Sequence, residues 1–117
     1  MNRILIVDDE ASIRDALVRW FTLRGFEVDM AEDGQQAVDK CRTGVYDVIT
    51  MDLEMPRLPG SKAIAIINGM HPDIPIVVLT GYPNEAADLL DNGAAKVLTK
   101  PLQLKKLEEE VLQVLKE

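Results

Sequence analysis

Tyr46-Asp-Val-Ile-Thr-Met-Asp52-Leu-Glu-Met-Pro56 is an apolar run that ends on a carboxylate and gives way to a loop containing Pro56, Pro59 and Gly60. Val48, Ile49 and Met51 read as a strand buried on both faces, the pattern of a parallel sheet covered by helices. In an open α/β sheet the ligand crevice lies at the carboxyl ends of such strands. Asp52 is therefore predicted at the rim of a crevice rather than in the core.

Working outward, Ile4 to Val7 form a second buried run that stops at Asp8-Asp9-Glu10. Ile13, Ala16, Leu17, Trp20 and Phe21 then recur at helical spacing, with a core role expected for Trp20 and a stop at Gly25. Phe26, Val28 and Met30 alternate with Glu27 and Asp29, as in a strand near a sheet edge. Asp33 with Gln36 resembles a capping box for a helix carrying Ala37, Val38 and Cys41 and ending before Gly44. Ser61 is expected to cap a helix bearing Ala63, Ile64, Ile67 and Met70, closed by His71-Pro72, with His71 solvated in a surface turn.

Ile74 and Ile76 to Leu79 make a further strand ending at Thr80-Gly81. Asn84 is expected to cap a helix with Ala86, Ala87, Leu89 and Leu90, stopped by Asn92-Gly93. Val97 to Thr99 form a short fifth strand before Lys100-Pro101. Leu104, Leu107, Val111, Val114 and Leu115 mark a closing helix whose Glu108, Glu109 and Glu110 are expected in solvent. Five strands alternating with helices imply an α/β fold, a doubly wound parallel sheet with helices on both faces and right-handed crossovers.

At 117 residues the chain is read as a single domain over residues 1–117. A net charge of -7, from 20 acids against 13 Lys and Arg, argues against direct binding to nucleic acid. The one cysteine, Cys41, reads as a small core filler. With no signal peptide and no apolar run of transmembrane length, no membrane association is expected and the cytoplasm is the default location.

Three strand ends deliver Asp8-Asp9, Asp52 and Thr80 to one rim, and a fourth delivers Lys100. Close carboxylates repel by about 4 kcal/mol per pair at an effective dielectric near 20, so the free site should be strained or partly protonated. A divalent cation relieves that strain, and an open all-oxygen site suits Mg²⁺ better than Ca²⁺ or Zn²⁺. With the metal bound, Asp52 can act as a nucleophile toward a phosphoryl group, whose oxygens the metal, Lys100 and Thr80 would hold.

The motifs Ile-Val-Asp8-Asp9-Glu10, Met-Asp52-Leu-Glu-Met-Pro56, Leu-Thr80-Gly81 and Lys100-Pro101 together resemble those of bacterial response-regulator receiver domains, over essentially the whole chain. The resemblance implies the flavodoxin-like strand order 2-1-3-4-5. It implies Asp52 as phosphoacceptor, Asp9 as a metal ligand, Asp8 as a ligand through water and the backbone carbonyl of Glu54 as a further ligand. It also implies that Thr80 and Lys100 bind phosphoryl oxygens and that the Lys100-Pro101 bond is cis. The switch position that holds an aromatic residue in the family is Val97 here, which places the signalling route in question. Tyr82 is expected either to shield the phosphoryl group or to replace the missing ring, and the Glu54 side chain to disfavour or orient the hydrolytic water, so that both modulate phosphoryl lifetime.

The expected activity is that of a signalling switch, not an enzyme beyond self-catalysed phosphoryl transfer and autodephosphorylation. Expected partners are a sensor histidine kinase or phosphotransfer protein, an unidentified downstream effector, and a second copy of the chain in a phosphorylation-dependent homodimer. A metal-dependent phosphohydrolase is a rival reading, weakened because Glu54 stands where its usual second Asp would be. A flavin or nucleotide binder is weakened by the acidic first loop, and a scaffolding pseudo-receiver by the presence of every expected site residue.

Overall fold

The computed structural model describes residues 2–55 and 57–116; Met1, Glu117 and Pro56, the last residue of the motif that opens the sequence reading, lie outside them. Strands β1 (Arg3–Val7), β2 (Glu27–Ala31), β3 (Val48–Asp52), β4 (Ile76–Thr80) and β5 (Lys96–Thr99) form one parallel sheet in the order β2-β1-β3-β4-β5. Helices α1 (Ala11–Leu23), α2 (Gly34–Thr43), α3 (Gly60–Met70) and α4 (Leu104–Lys116) cover it. This is the flavodoxin-like doubly wound arrangement expected.

Alternation along the central strands divides the core in two. Leu5, Ile49, Met51 and Val78 face Ala37, Val38, Ala63, Ile64 and Ile67 of α2 and α3. Ile4, Ile6, Val48 and Val77 face Leu17 and Phe21 of α1 and Leu107, Val111 and Val114 of α4. Each fully buried Ile, Leu or Phe contributes about 1.5–3 kcal/mol relative to exposure, so two mainly aliphatic layers, with Phe21, Phe26 and Tyr46 as their buried aromatics, hold the sheet. Cys41 fills the first layer as expected, and burial pushes its thiol up to about 11.

Local signals act as expected at several element ends. Asp33 Oδ1 accepts the Gln36 backbone N–H at 2.8 Å, while Gln36 Oε1 accepts the N–H of Glu32, one residue before the cap itself. Gly25 and Gly93 take positive φ of 91° and 113° where α1 ends and where the chain turns into β5. The Lys100-Pro101 bond is cis.

Elsewhere the chain departs from expectation. No helix forms after Asn84: backbone N–H groups of Glu85 and Ala86 reach back three residues to Tyr82 and Pro83, and only a 3₁₀ turn, Ala87–Asp91, follows. Helix α3 starts at Gly60 behind Pro59, so Ser61 lies inside it and does not cap it. Ile13 and Met30 are exposed, at 41% and 43%, because the stripe on α1 is wider than the surface it covers and β2 is an edge strand. Trp20 is half-buried and donates its indole N–H to Glu108 at 3.2 Å under the Arg24 guanidinium. Glu108 and Glu110 are not free in solvent either: Arg24 pairs with the first, Lys96 and Lys106 with the second. His71 is half-buried, its Nε2 2.7 Å from the Cys41 carbonyl oxygen, tying the end of α3 to α2.

Candidate functional site

The carboxyl ends of β1, β3 and β4 converge because their registers align: Val7 pairs with Met51 and Asp52 with Leu79. The residues immediately beyond the first pair are Asp8 and Asp52, and those beyond the second are Leu53 and Thr80. The Lys100 N–H donates to the Thr80 carbonyl at 2.8 Å and the Leu53 N–H to the Leu79 carbonyl at 3.1 Å, which sets the loops side by side. Asp52 is only 4% exposed, so it forms the floor of the crevice rather than its rim.

Asp8, Asp9 and Asp52 each place a carboxylate oxygen within 4.8 Å of the others. Asp9 is exposed while Asp8 and Asp52 are buried, and the Asp8 carboxylate accepts the Glu10 N–H at 2.9 Å. Burial pushes the Asp8 carboxyl up to about 6; the Glu10 N–H opposes this and the Asp52 and Asp9 charges add to it. Burial also raises Asp52, opposed by the Lys100 ammonium and the Glu54 N–H. Such a cluster is destabilised by its own charge, and hard oxygen donors crowded in this way fit a small divalent cation such as Mg²⁺.

Lys100 Nζ donates to Asp52 Oδ1 at 2.8 Å and lies 3.2 Å from Glu54 Oε1. Burial alone would lower the Lys100 pKa, but these two carboxylates outweigh it and raise the ammonium above its ordinary value. The Thr80 side chain, 1% exposed, donates its hydroxyl to Glu54 Oε2 at 2.7 Å and accepts the Tyr82 N–H at 3.0 Å. The Gly81 N–H donates to Glu54 Oε1 at 2.9 Å. Burial opposes ionisation of Glu54, yet the Gly81, Thr80 and Lys100 donors hold its carboxyl below the ordinary value.

Asp8, Asp9, Asp52, Glu54, Thr80 and Lys100 are thus brought together, with Tyr82 and Val97 placed to the side of them. Tyr82 is 60% exposed and lines an open groove beside Thr80 and Glu54. Val97 packs against the α2/α3 layer, on β5 next to Val78. Three features had no signal in the sequence reading: Arg14, buried on α1, donates to the Asp8 carbonyl at 3.0 Å. Arg57, at φ 66°, pairs with Asp33 at 2.9 Å across the acidic mouth. The third is the Gly81 N–H already described.

Among the described residues no helix is long and apolar enough to cross a membrane. The model of the response regulator receiver domain matches residues 4–112. The response regulator MprA of Mycobacterium tuberculosis is 37% identical over 107 residues, covering 90% of this chain and 46% of that protein. The chain therefore spans about half the length of the curated relatives it matches. Two solved structures are similar throughout. The response regulator TrrA of Thermotoga maritima, crystallised in complex with Mg²⁺-BeF, superposes with a TM-score of 0.88 at 35% identity, covering 97% of this chain and 99% of that one. The chemotaxis response regulator CheY4 of Vibrio cholerae gives 0.91 at 30% identity, covering 97% and 98%. A sheet that gathers its acids and lysine at one end, matched over nearly its whole length by these proteins, places the chain in the response regulator receiver family of two-component systems.

Proposed function

We propose that the chain is a phosphorylation-dependent switch whose phosphoacceptor is Asp52. The observation that carries this reading is the 2.8 Å contact between Lys100 and an Asp52 carboxylate that sits within 4.8 Å of Asp8 and Asp9. An Asp52 oxygen forms a bond to phosphorus as the P–N bond of a phosphohistidine donor breaks, and the histidine nitrogen leaves with the electron pair. Lys100 and the Thr80 hydroxyl hold the transferred oxygens, and Asp8, Asp9, Asp52 and the Glu54 carbonyl would hold Mg²⁺. When bound, the ion neutralises the acid cluster and the charge developing on the phosphoryl group. Return to the resting state is hydrolysis, in which water adds to phosphorus and inorganic phosphate leaves Asp52.

On this reading the chain is a signalling domain, its only chemistry being transfer to itself and release. The donor is a sensor histidine kinase or phosphotransfer protein, and the location is the cytoplasm. The readers are a downstream effector or a second copy of the chain. The added charge displaces Thr80 and the segment through Tyr82, and Val97 is too small to relay that movement by rotating a ring. The change is therefore carried by the backbone from Thr80 into the 3₁₀ turn and β5.

Intact mass measurement after incubation with acetyl phosphate and Mg²⁺ tests the proposal. The native chain gains the mass of one phosphoryl group and Asp52→Asn gains none. Equal labelling of the two would sink it.

A further inference from the structure

Three donors that could serve a bound oxyanion are already engaged by a single acceptor. The Thr80 hydroxyl, the Gly81 N–H and the Lys100 ammonium converge on the Glu54 carboxylate at 2.7, 2.9 and 3.2 Å. The same ammonium reaches Asp52 Oδ1 at 2.8 Å and so links this donor set to the carboxylate that would carry the phosphoryl group. From these contacts we infer that the Glu54 side chain is a built-in competitor, seated where the oxygens of a phosphoryl group on Asp52 would sit. The inference rests on the phosphoacceptor reading above and goes beyond it in assigning what must leave before that group can be held.

The chemistry of the exchange is unequal in a useful way. A carboxylate offers two oxygens and one negative charge, whereas a phosphoryl group offers three oxygens and nearly twice the charge, so the incoming group wins these donors but only after displacing the resident. Glu54 has somewhere to go. An open groove of about 530 Å³ lies beside it, lined in part by Ser61, Thr80 and Tyr82. Glu85 and Asp88 also line that groove. Their like charge opposes the outward pose and favours the seated one in the resting protein. Until displaced, Glu54 also occupies the Thr80 hydroxyl, whose oxygen accepts the Tyr82 N–H.

The test compares the native chain with Glu54→Ala and Glu54→Asp, using beryllium fluoride with Mg²⁺ as the probe, and follows Gly81 amide exchange by NMR without any probe. Aspartate keeps the charge but is one methylene too short to span to Gly81 and Thr80. Both variants should bind the probe about tenfold more tightly than the native chain, the loss of one charge-assisted hydrogen-bonded competitor. Their Gly81 amide should exchange faster before the probe is added. Binding equal to native in both variants would overturn the inference and leave the phosphoacceptor reading standing. Tighter binding by Glu54→Ala with native-like Glu54→Asp would also overturn it, because charge repulsion rather than occupancy would then be the cause. Failure of every chain to bind the probe would sink the phosphoacceptor reading and this inference with it, whereas unchanged Gly81 exchange would overturn the inference alone.

Discussion

Lys100 Nζ lies 2.8 Å from Asp52 Oδ1, joining the last strand's loop to the floor of the acid cluster through a carboxylate that is almost wholly buried. Removing the ammonium leaves that buried carboxylate without a cation, and the Glu54 N–H at 3.1 Å is then the remaining donor to the same oxygen. Lys100→Met is expected to slow labelling of Asp52 by acetyl phosphate about 100-fold, the usual consequence of deleting one electrostatic stabiliser of a transferring group. Quench-flow followed by intact mass measurement reads the rate, and a loss below about fivefold contradicts the role.

The crowding of Asp8, Asp9 and Asp52 has an energetic counterpart. Asp8→Asn keeps an oxygen to accept the Glu10 N–H but removes one charge from the cluster. In metal-free buffer at neutral pH it is expected to stabilise the fold by on the order of 2 kcal/mol. The same change should weaken Mg²⁺ binding by about tenfold or more. Thermal unfolding with and without Mg²⁺ measures both, and an unchanged melting temperature in EDTA refutes the strain.

In the middle of the edge strand β2, Asp29 accepts the Tyr46 hydroxyl at 2.7 Å and the Lys40 ammonium at 2.8 Å. Burial would raise the Asp29 carboxyl, but these donors outweigh it and hold it below its ordinary value; burial and the Asp29 charge push the Tyr46 phenol up. A carboxyl depressed on folding contributes stability that is present above its unfolded pKa, near 4, and lost as pH falls through its folded value. Tyr46→Phe should cost about 1 kcal/mol at pH 7, with the difference from the native chain shrinking below about pH 4. Urea melts across this range give the answer, and a difference that grows on acidification would be the wrong sign.

Two glycines give opposite expectations for one substitution. A Cβ on Gly34, at the start of α2, would sit 2.5 Å from the Leu58 carbonyl oxygen, in the loop that carries Arg57, whereas one on Gly69 of α3 meets nothing within 4 Å. Gly69→Ala should stabilise by about 0.5–1 kcal/mol through helix propensity and reduced freedom of the unfolded chain. Gly34→Ala should cost about 2 kcal/mol, because backbone rather than a flexible side chain must yield. Chemical denaturation separates them, and the same sign for both would contradict the packing.

The strand runs and their terminal acids were legible because a sheet buried on both faces leaves no freedom of pattern: Ile4 to Val7 and Ile76 to Leu79 have one reading. The segment after Asn84 misled because Ala86, Leu89 and Leu90 have helical spacing but too little length to offset nucleation, with Pro83 and Gly93 bracketing it. Glu108, Glu109 and Glu110 are indistinguishable in sequence, and only the tertiary positions of Arg24 and Lys96 distinguish the paired acids from the exposed one. That Asp8, Asp9, Asp52, Thr80 and Lys100 lie together was readable from strand ends. That the Glu54 side chain takes the Thr80 and Gly81 donors was not, since it depends on the reach of one carboxylate across two loops.

The 3₁₀ turn Ala87–Asp91 contains no buried residue, unlike any of the four helices. Subglobal opening costs least where little apolar area anchors the backbone. Deuterium should therefore enter this stretch well before α2 or α3, and a few kilocalories released at Thr80 are enough to reshape it while the two apolar layers stay intact. On the proposed switch, a signal delivered there would meet less resistance than one delivered to any of the four helices.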